Sequence, residues 1–284
     1  MLDARLPSEL HFGVIIQSGI ADLNGTRLYF ETAGSGESLV FIHGLGLDAR
    51  MWDPQFETFA HRFSVVRYDL RGFGRSSLPT AESYSHAEDL RALLRFLRVS
   101  DAHIFGLSLG GRHAVNFALL YPEATKSLIL VDSSLDGFDF SREFLGPFDK
   151  IEACAKRGDI KAANQLWLNH PLFAPARENR EVACKLAEIV GDYSGWRWAN
   201  EDPVRKSNPP AIKSLNQIRA PALVLVGDRD LADFRAISDL LAQEIPHATK
   251  VVLPGVGHMS NMEGPEQLNR IALQFLSSVA GLKT

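Results

Sequence analysis

Between Gly106 and Gly110 the chain reads Gly-Leu-Ser-Leu-Gly, after the short apolar run His103-Ile104-Phe105 and before a helix-like stretch from Gly111 to Tyr121. A five-residue turn between strand and helix is too tight for side chains two residues to either side of its apex, and glycine has no Cβ to clash there. The pattern therefore predicts that Ser108 stands proud of a sheet edge with a helix N-terminus behind it.

The flanking sequence supplies the sheet. Arg27 to Thr32 alternates and ends in the loop signal Ala33-Gly34-Ser35-Gly36. Ser38 to Ile42 is continuously apolar, as a strand buried on both faces must be. Ser64 to Arg67, His103 to Phe105, Leu128 to Val131, Leu223 to Val226 and Val251 to Leu253 read as further strands. Helical spacing covers Met51 to Phe63, Ser85 to Leu97, Leu109 to Tyr121, Phe234 to Ile245 and Pro265 to Ser278. Such alternation predicts an α/β fold with a mostly parallel central sheet flanked by helices.

One stretch interrupts it. From Ser134 to Leu215 only helical patterns occur, such as Arg142 to Arg157 and Glu178 to Val190, before sheet resumes after Ala220-Pro221. The reading is a core of residues 1–133 and 216–284 with a helical cap, 134–215, inserted after the sixth strand. The cap holds Trp167, Trp196 and Trp198 with Phe138, Phe140, Phe144, Phe148, Phe173 and Tyr193. Trp167, Phe138 and Trp196 are the expected substrate-binding residues of a roofed cavity. About half of these aromatics should instead form the cap's own core, because a helical subdomain must bury something.

Composition narrows the partners. A net charge of −4 without a basic run speaks against nucleic acid or an anionic membrane surface. No apolar stretch approaches the roughly 18 residues of a spanning helix, and Met1 to Pro7 lacks the pattern of a signal peptide. Cys154 and Cys184 are the only cysteines, read as reduced thiols of a cytoplasmic protein. A small-molecule substrate is expected, with no metal and no cofactor; homodimerisation is left open.

A serine hydroxyl needs a base, an orienter for that base and oxyanion donors. His258 lies in the glycine-rich loop Pro254-Gly255-Val256-Gly257-His258-Met259, after a strand and before the last helix, and is the expected base. Such a base would become competent as pH rises through about 6.5 to 7. His11, His61, His86, His170 and His247 read as surface positions, and His103 and His113 as members of a strand and a helix. For the orienting acid, Asp228, Asp230 and Asp233 follow the strand Leu223 to Val226. Asp230 is favoured, Asp233 reads as a helix cap, and Asp132, at the end of a neighbouring strand, is next. The order Ser108, Asp230, His258 is the one that accompanies a strand-to-helix nucleophile turn. One oxyanion donor is the Leu109 N–H at the start of its helix. The second is expected from His43-Gly44-Leu45-Gly46, with Leu45 preferred to Gly44 and His43 holding the loop by hydrogen bonds.

These residues resemble the α/β-hydrolase fold family over nearly the whole chain. His43 to Gly46 looks like its oxyanion segment, and Asp69-Leu70-Arg71-Gly72-Phe73-Gly74-Arg75-Ser76 like its D-x-R-G-x-G-x-S turn. Gly227 to Asp230 resembles its acid loop, and Gly257 to Glu263 the histidine loop of the enol-lactonase and esterase branches. Many relatives carry proline three or four residues after the acid, where this chain has Asp233 and Phe234. The resemblance implies a serine hydrolase of small apolar or aromatic carboxylic esters or lactones. Carbon–carbon hydrolysis of ring-cleavage products is an alternative, disfavoured by Leu107 and Met259 though Asn116 to Leu119 resembles that group's helix; perhydrolase activity is another. A ligand-sensing receptor that retains the triad is the alternative from a different class.

Overall fold

The computed structural model describes residues 10–11 and 14–279, with side chains from Val14 onward. The Met1 to Pro7 stretch read for a signal peptide and the side chain of His11 lie outside the described residues.

Eight strands form the central sheet: β1 (Gln17–Leu23), β2 (Thr26–Gly34), β3 (Ser38–Ile42), β4 (Ser64–Tyr68), β5 (Ala102–Leu107), β6 (Thr125–Val131), β7 (Ala222–Gly227) and β8 (Ala248–Leu253). Their order is β8-β7-β6-β5-β3-β4-β2-β1. Pairing is antiparallel for β1 with β2 and β2 with β4, and parallel elsewhere. The β1–β2 hairpin turns on Asn24 and Gly25 at φ 49° and 67°, the left-handed pair that a two-residue hairpin loop favours. β1 escapes the sequence pattern because most of its side chains face solvent and only Ala21 is buried.

Helix α1 (Asp53–Ala60) packs against α11 (Pro265–Val279), and α2 (His86–Phe96) against α3 (Leu109–Leu120). α9 (Ala232–Glu244) packs on β7 and β8. Because helices cover both faces, β5 and β7 are buried at every residue, which is why they read as unbroken apolar runs.

Between β6 and β7 lie α4 (Arg142–Leu145), α5 (Phe148–Lys156), α6 (Ile160–Leu168), α7 (Arg180–Asp192) and α8 (Trp196–Ala199). The helix expected over Arg142 to Arg157 is two, broken at Gly146-Pro147, since proline has no N–H to continue the ladder. α7 starts two residues later than expected, where the Asn179 side chain accepts from the N–H groups of Glu181 and Val182. No described helix is long and apolar enough to cross a membrane.

Candidate active site

β5 delivers Ser108 to the C-terminal edge of the sheet, where its N–H donates to Val131 O at 3.0 Å. Ser108 has φ 55° and ψ −115°, a left-handed conformation costly for a residue with a side chain. A Cβ on Gly106 would collide with the Gly110 carbonyl, and one on Gly110 with the Ile42 carbonyl, so the two glycines make the turn sterically open. The Ser108 carbonyl accepts from the N–H groups of Arg112 and Ser134, both at 3.1 Å, and from Ser134 Oγ at 3.2 Å.

Two strands away, β7 ends at Gly227 and its loop carries Asp230, 5% exposed. Asp230 Oδ2 accepts from Nδ1 of His258 at 2.8 Å, and its other oxygen accepts from the Leu231 N–H at 2.7 Å. That bond places the imidazole proton on Nδ1 and leaves Nε2 bare. Nε2 is buried and has no hydrogen-bond partner among the described residues. Burial outweighs the nearby carboxylates and pushes the His258 pKa down to about 4, well below the 6.5 to 7 expected from an ordinary imidazole.

Asp132 does not orient His258. Its Oδ1 accepts from the Gly227 N–H at 2.8 Å and its Oδ2 from Ser260 Oγ, so it ties the ends of β6 and β7 to α10 (Ser260–Glu263). Complete burial, reinforced by the neighbouring Asp230, raises its pKa well above the usual carboxylate range. Asp228 accepts from the Gly255 N–H at 2.8 Å. Asp233 is not a helix cap: α9 begins one residue earlier, and the Asp233 carboxylate instead accepts from Ser141 Oγ at 2.7 Å, joining β7's loop to the insertion. Phe234 sets its ring 4.3 Å from that of His258.

The His43 to Gly46 loop follows β3. Its histidine is positioned by backbone: Nε2 accepts from the Leu70 N–H at 2.9 Å, so Nδ1 carries the proton and donates to Gly44 O at 2.8 Å. The Gly44 N–H points to Met51 Sδ at 3.4 Å, whereas the Leu45 and Leu109 N–H groups meet no acceptor among the described residues. The D-x-R-G-x-G-x-S turn braces this loop. Asp69 accepts from the N–H groups of Ala49 and Arg75, each at 2.8 Å, and Arg71 forms a buried two-point pair with Asp89 at 2.8 and 3.0 Å.

Glu263 is a positioning residue that spacing did not single out. Its carboxylate, one turn past the histidine, accepts from the Gly257 and Met259 N–H groups at 2.7 and 3.0 Å and so clamps the His258 loop. An acid five residues after the histidine was the available signal. His86 and His170, read as surface positions, are 3% and 1% exposed. His170 is buried because both its nitrogens are satisfied locally, by Phe144 O and the Leu172 N–H; His86 lies against His113, ring centres 4.2 Å apart and planes tilted by 45°.

The insertion's aromatics form one network, joined through Phe148, that reaches the core at two places. Phe138, Phe140 and Phe144 are half-buried and lead through Phe234 to the His258 ring. Trp167, Trp198 and Tyr193 are buried and lead through Phe73 to His43. Trp167 Nε1 is buried without a partner among the described residues and lies against Gly46, where a Cβ would stand 2.6 Å from it. Half-buried Trp196 faces Gly72. Of the three residues expected to line a cavity, Trp167 sits beside the Leu45 loop, Phe138 begins the path to His258, and Trp196 lies over the turn after β4. Among the described residues no group of three or more His, Cys, Asp or Glu is arranged to hold a metal ion.

A family model described as alpha/beta hydrolase fold matches residues 37–265. The chain is 26% identical to (E)-2-((N-methylformamido)methylene)succinate hydrolase of Acinetobacter baylyi, over 90% of this chain and 95% of that one. Among solved structures, a thermophilic esterase from Thermogutta terrifontis superposes with a TM-score of 0.79 at 27% identity, covering 93% of this chain and 99% of that one. The enol-lactonase from Burkholderia xenovorans gives 0.77 at 26% identity, covering 91% and 100%.

Proposed function

The chain belongs to the α/β-hydrolase fold family, and we propose that within it the protein is a serine hydrolase cleaving a small apolar or aromatic carboxylic ester or lactone through an acyl-enzyme. Ser108 Oγ attacks the carbonyl carbon while His258 Nε2 takes its proton. Asp230 holds the imidazole and stabilises the imidazolium. The Leu45 and Leu109 N–H groups donate to the oxyanion, in a site dry enough for those bonds to count. His258 returns the proton to the leaving alkoxide, then activates the water that hydrolyses the acyl-enzyme.

One observation carries this reading: the His258–Asp230 bond of 2.8 Å, with Nε2 left buried and unpartnered. The uncommitted Leu45 and Leu109 N–H groups support it. The esterase and enol-lactonase likenesses, with the aromatic paths to both loops, favour an apolar or aromatic acyl or alcohol group. The two unpaired cysteines, Cys154 and Cys184, fit a reducing, cytoplasmic setting.

The test is a panel of p-nitrophenyl esters, lactones and ring-cleavage products, run on wild type and Ser108→Ala. Ser108→Ala is expected to lower kcat by about 10⁴- to 10⁶-fold on the preferred ester or lactone. Ester turnover near the wild-type rate would remove Ser108 from the mechanism, and a preference for ring-cleavage products would select the carbon–carbon reading.

A further inference from the structure

The His258 side chain is restrained at more than one place. Glu263 fixes its backbone, accepting from the Gly257 and Met259 N–H groups on either side. Asp230 fixes one ring nitrogen, through the 2.8 Å bond from Nδ1. A single hydrogen bond does not fix a plane. The imidazole remains free to swing about the Nδ1–Oδ2 line, and Nε2 swings with it. A reacting atom misplaced by about 1 Å can cost on the order of 10²-fold in rate, so the ring needs a further restraint.

That restraint is the ring of Phe234. Its centre stands 4.3 Å from that of the imidazole, with the two planes at 61°. Phe234 is itself firmly held. It is 0% exposed in the first turn of α9, and its N–H donates to Leu231 O at 3.1 Å. Phe140 and Phe144 of the insertion pack against it, with ring centres 5.8 and 5.3 Å away.

The charged groups around the imidazole give the contact a second consequence. Asp230 in the loop after β7, Asp132 at the end of β6 and Glu263 on α10 are carboxylates that favour a protonated ring. From the insertion, His170 is near enough to feel a charge on His258, and burial lowers its own pKa. Arg235, on the same helix as Phe234, acts on Asp230. Loss of water opposes the carboxylates and prevails, holding the His258 pKa down at about 4. The ring of Phe234 is part of what excludes that water.

We propose that Phe234 is a positioning residue for the base, its ring fixing the imidazole plane and barring water from the His258–Asp230 pair. The proposal rests on His258 being the base that activates Ser108.

Steady-state ester hydrolysis from about pH 4 to pH 9, on wild type, Phe234→Ala and Phe234→Leu, tests it. Wild type should lose kcat/KM only as pH falls toward about 4. Phe234→Ala should lower kcat at about pH 8 by roughly 10- to 100-fold, with KM changed less than about 3-fold. Its acid limb should rise toward about 6.5, because water then solvates an imidazolium that the carboxylates already favour. Phe234→Leu keeps an apolar cover without the flat ring, so its limb should stay near that of wild type while part of the loss in kcat remains. NMR titration of the labelled His258 ring in the same proteins reads its pKa without any turnover. Thermal unfolding reports that each variant folds, and where Phe234→Ala does not, Phe234→Val is read by the same criteria.

An unmoved limb in Phe234→Ala, whatever the fall in kcat, would leave the ring a packing residue and overturn the proposal. A raised KM with kcat unchanged would also overturn it, by making Phe234 a substrate contact. So would Phe234→Leu moving the limb as far as Phe234→Ala, or a wild-type limb already at about 6.5 to 7. Wild-type turnover by Ser108→Ala would sink the serine-hydrolase reading instead, with the NMR titration still showing whether Phe234 keeps the His258 ring dry.

Discussion

Ser108 is held in a conformation that costs about 1 to 3 kcal/mol for a non-glycine residue, and three donors on its carbonyl offset that cost. Strain and position were legible because a tight turn writes itself into adjacent residues. The acid was not legible in the same way: Asp228, Asp230, Asp233 and Asp132 all end strands or open loops, and only the folded chain brings Asp230 within 2.8 Å of Nδ1. Asp230→Asn should therefore lower kcat by about 10⁴-fold by fixing the wrong tautomer. Asp132→Asn, which keeps an acceptor for Gly227, should lose less than about 10-fold; steady-state ester hydrolysis compares the two. The histidine's environment changes the expected pH profile. Neutral imidazole is the competent form, and burial holds the His258 pKa down at about 4. Activity should thus stay level from pH 8 to pH 5.5 and fall as pH drops toward about 4. A limb at pH 6.5 to 7 in kcat/KM would show that Asp230 outweighs burial.

At the level of helices and strands, the sequence was read well where one periodicity runs unbroken and less well where packing or a proline intervenes. β3, β5, β6 and β7 announced themselves as apolar runs because both faces are covered. α4 and α5 merged into one reading because their side-chain period continues across Gly146-Pro147 although the backbone ladder does not. Asp233 looked like a cap because its residue type suits one, yet its carboxylate reaches Ser141, more than ninety residues away in sequence. Inside the insertion, α6 is joined to α7 and α8 through Asn164. Its Nδ2 donates to Tyr193 O at 2.7 Å, and its Oδ1 accepts from Trp198 Nε1 at 3.1 Å. Asn164→Leu leaves that indole N–H and that carbonyl buried and unpaired, and should destabilise the protein by about 2 to 4 kcal/mol. Calorimetric unfolding measures it; an unchanged Tm would mean that the insertion does not depend on this junction.

Across the whole molecule, the insertion meets the core through ion pairs as well as aromatics. Arg50 reaches Glu188 and Asp192, Lys185 reaches Asp53, and Arg229 reaches Glu178. These side chains are largely exposed, so salt should weaken their attraction, the screening length falling to about 3 Å at 1 M. Hydrogen exchange at 0.05 and 1 M NaCl should show α7 losing protection at high salt while β3, β5 and β6 do not change. Equal response of helix and sheet would mean that apolar contact alone holds the insertion. By itself the amino-acid sequence determined the alternation of strands and helices, the elbow at Ser108, the order of serine, acid and histidine loops, and the interruption between β6 and β7. Those are properties of neighbouring residues: side-chain period, glycine's missing Cβ and proline's missing N–H act within a few positions. Which carboxylate meets His258, how far burial lowers that imidazole's pKa, and which aromatics are core depend on residues far apart in the chain and on how much water folding removes from around them. Those answers come only with the fold.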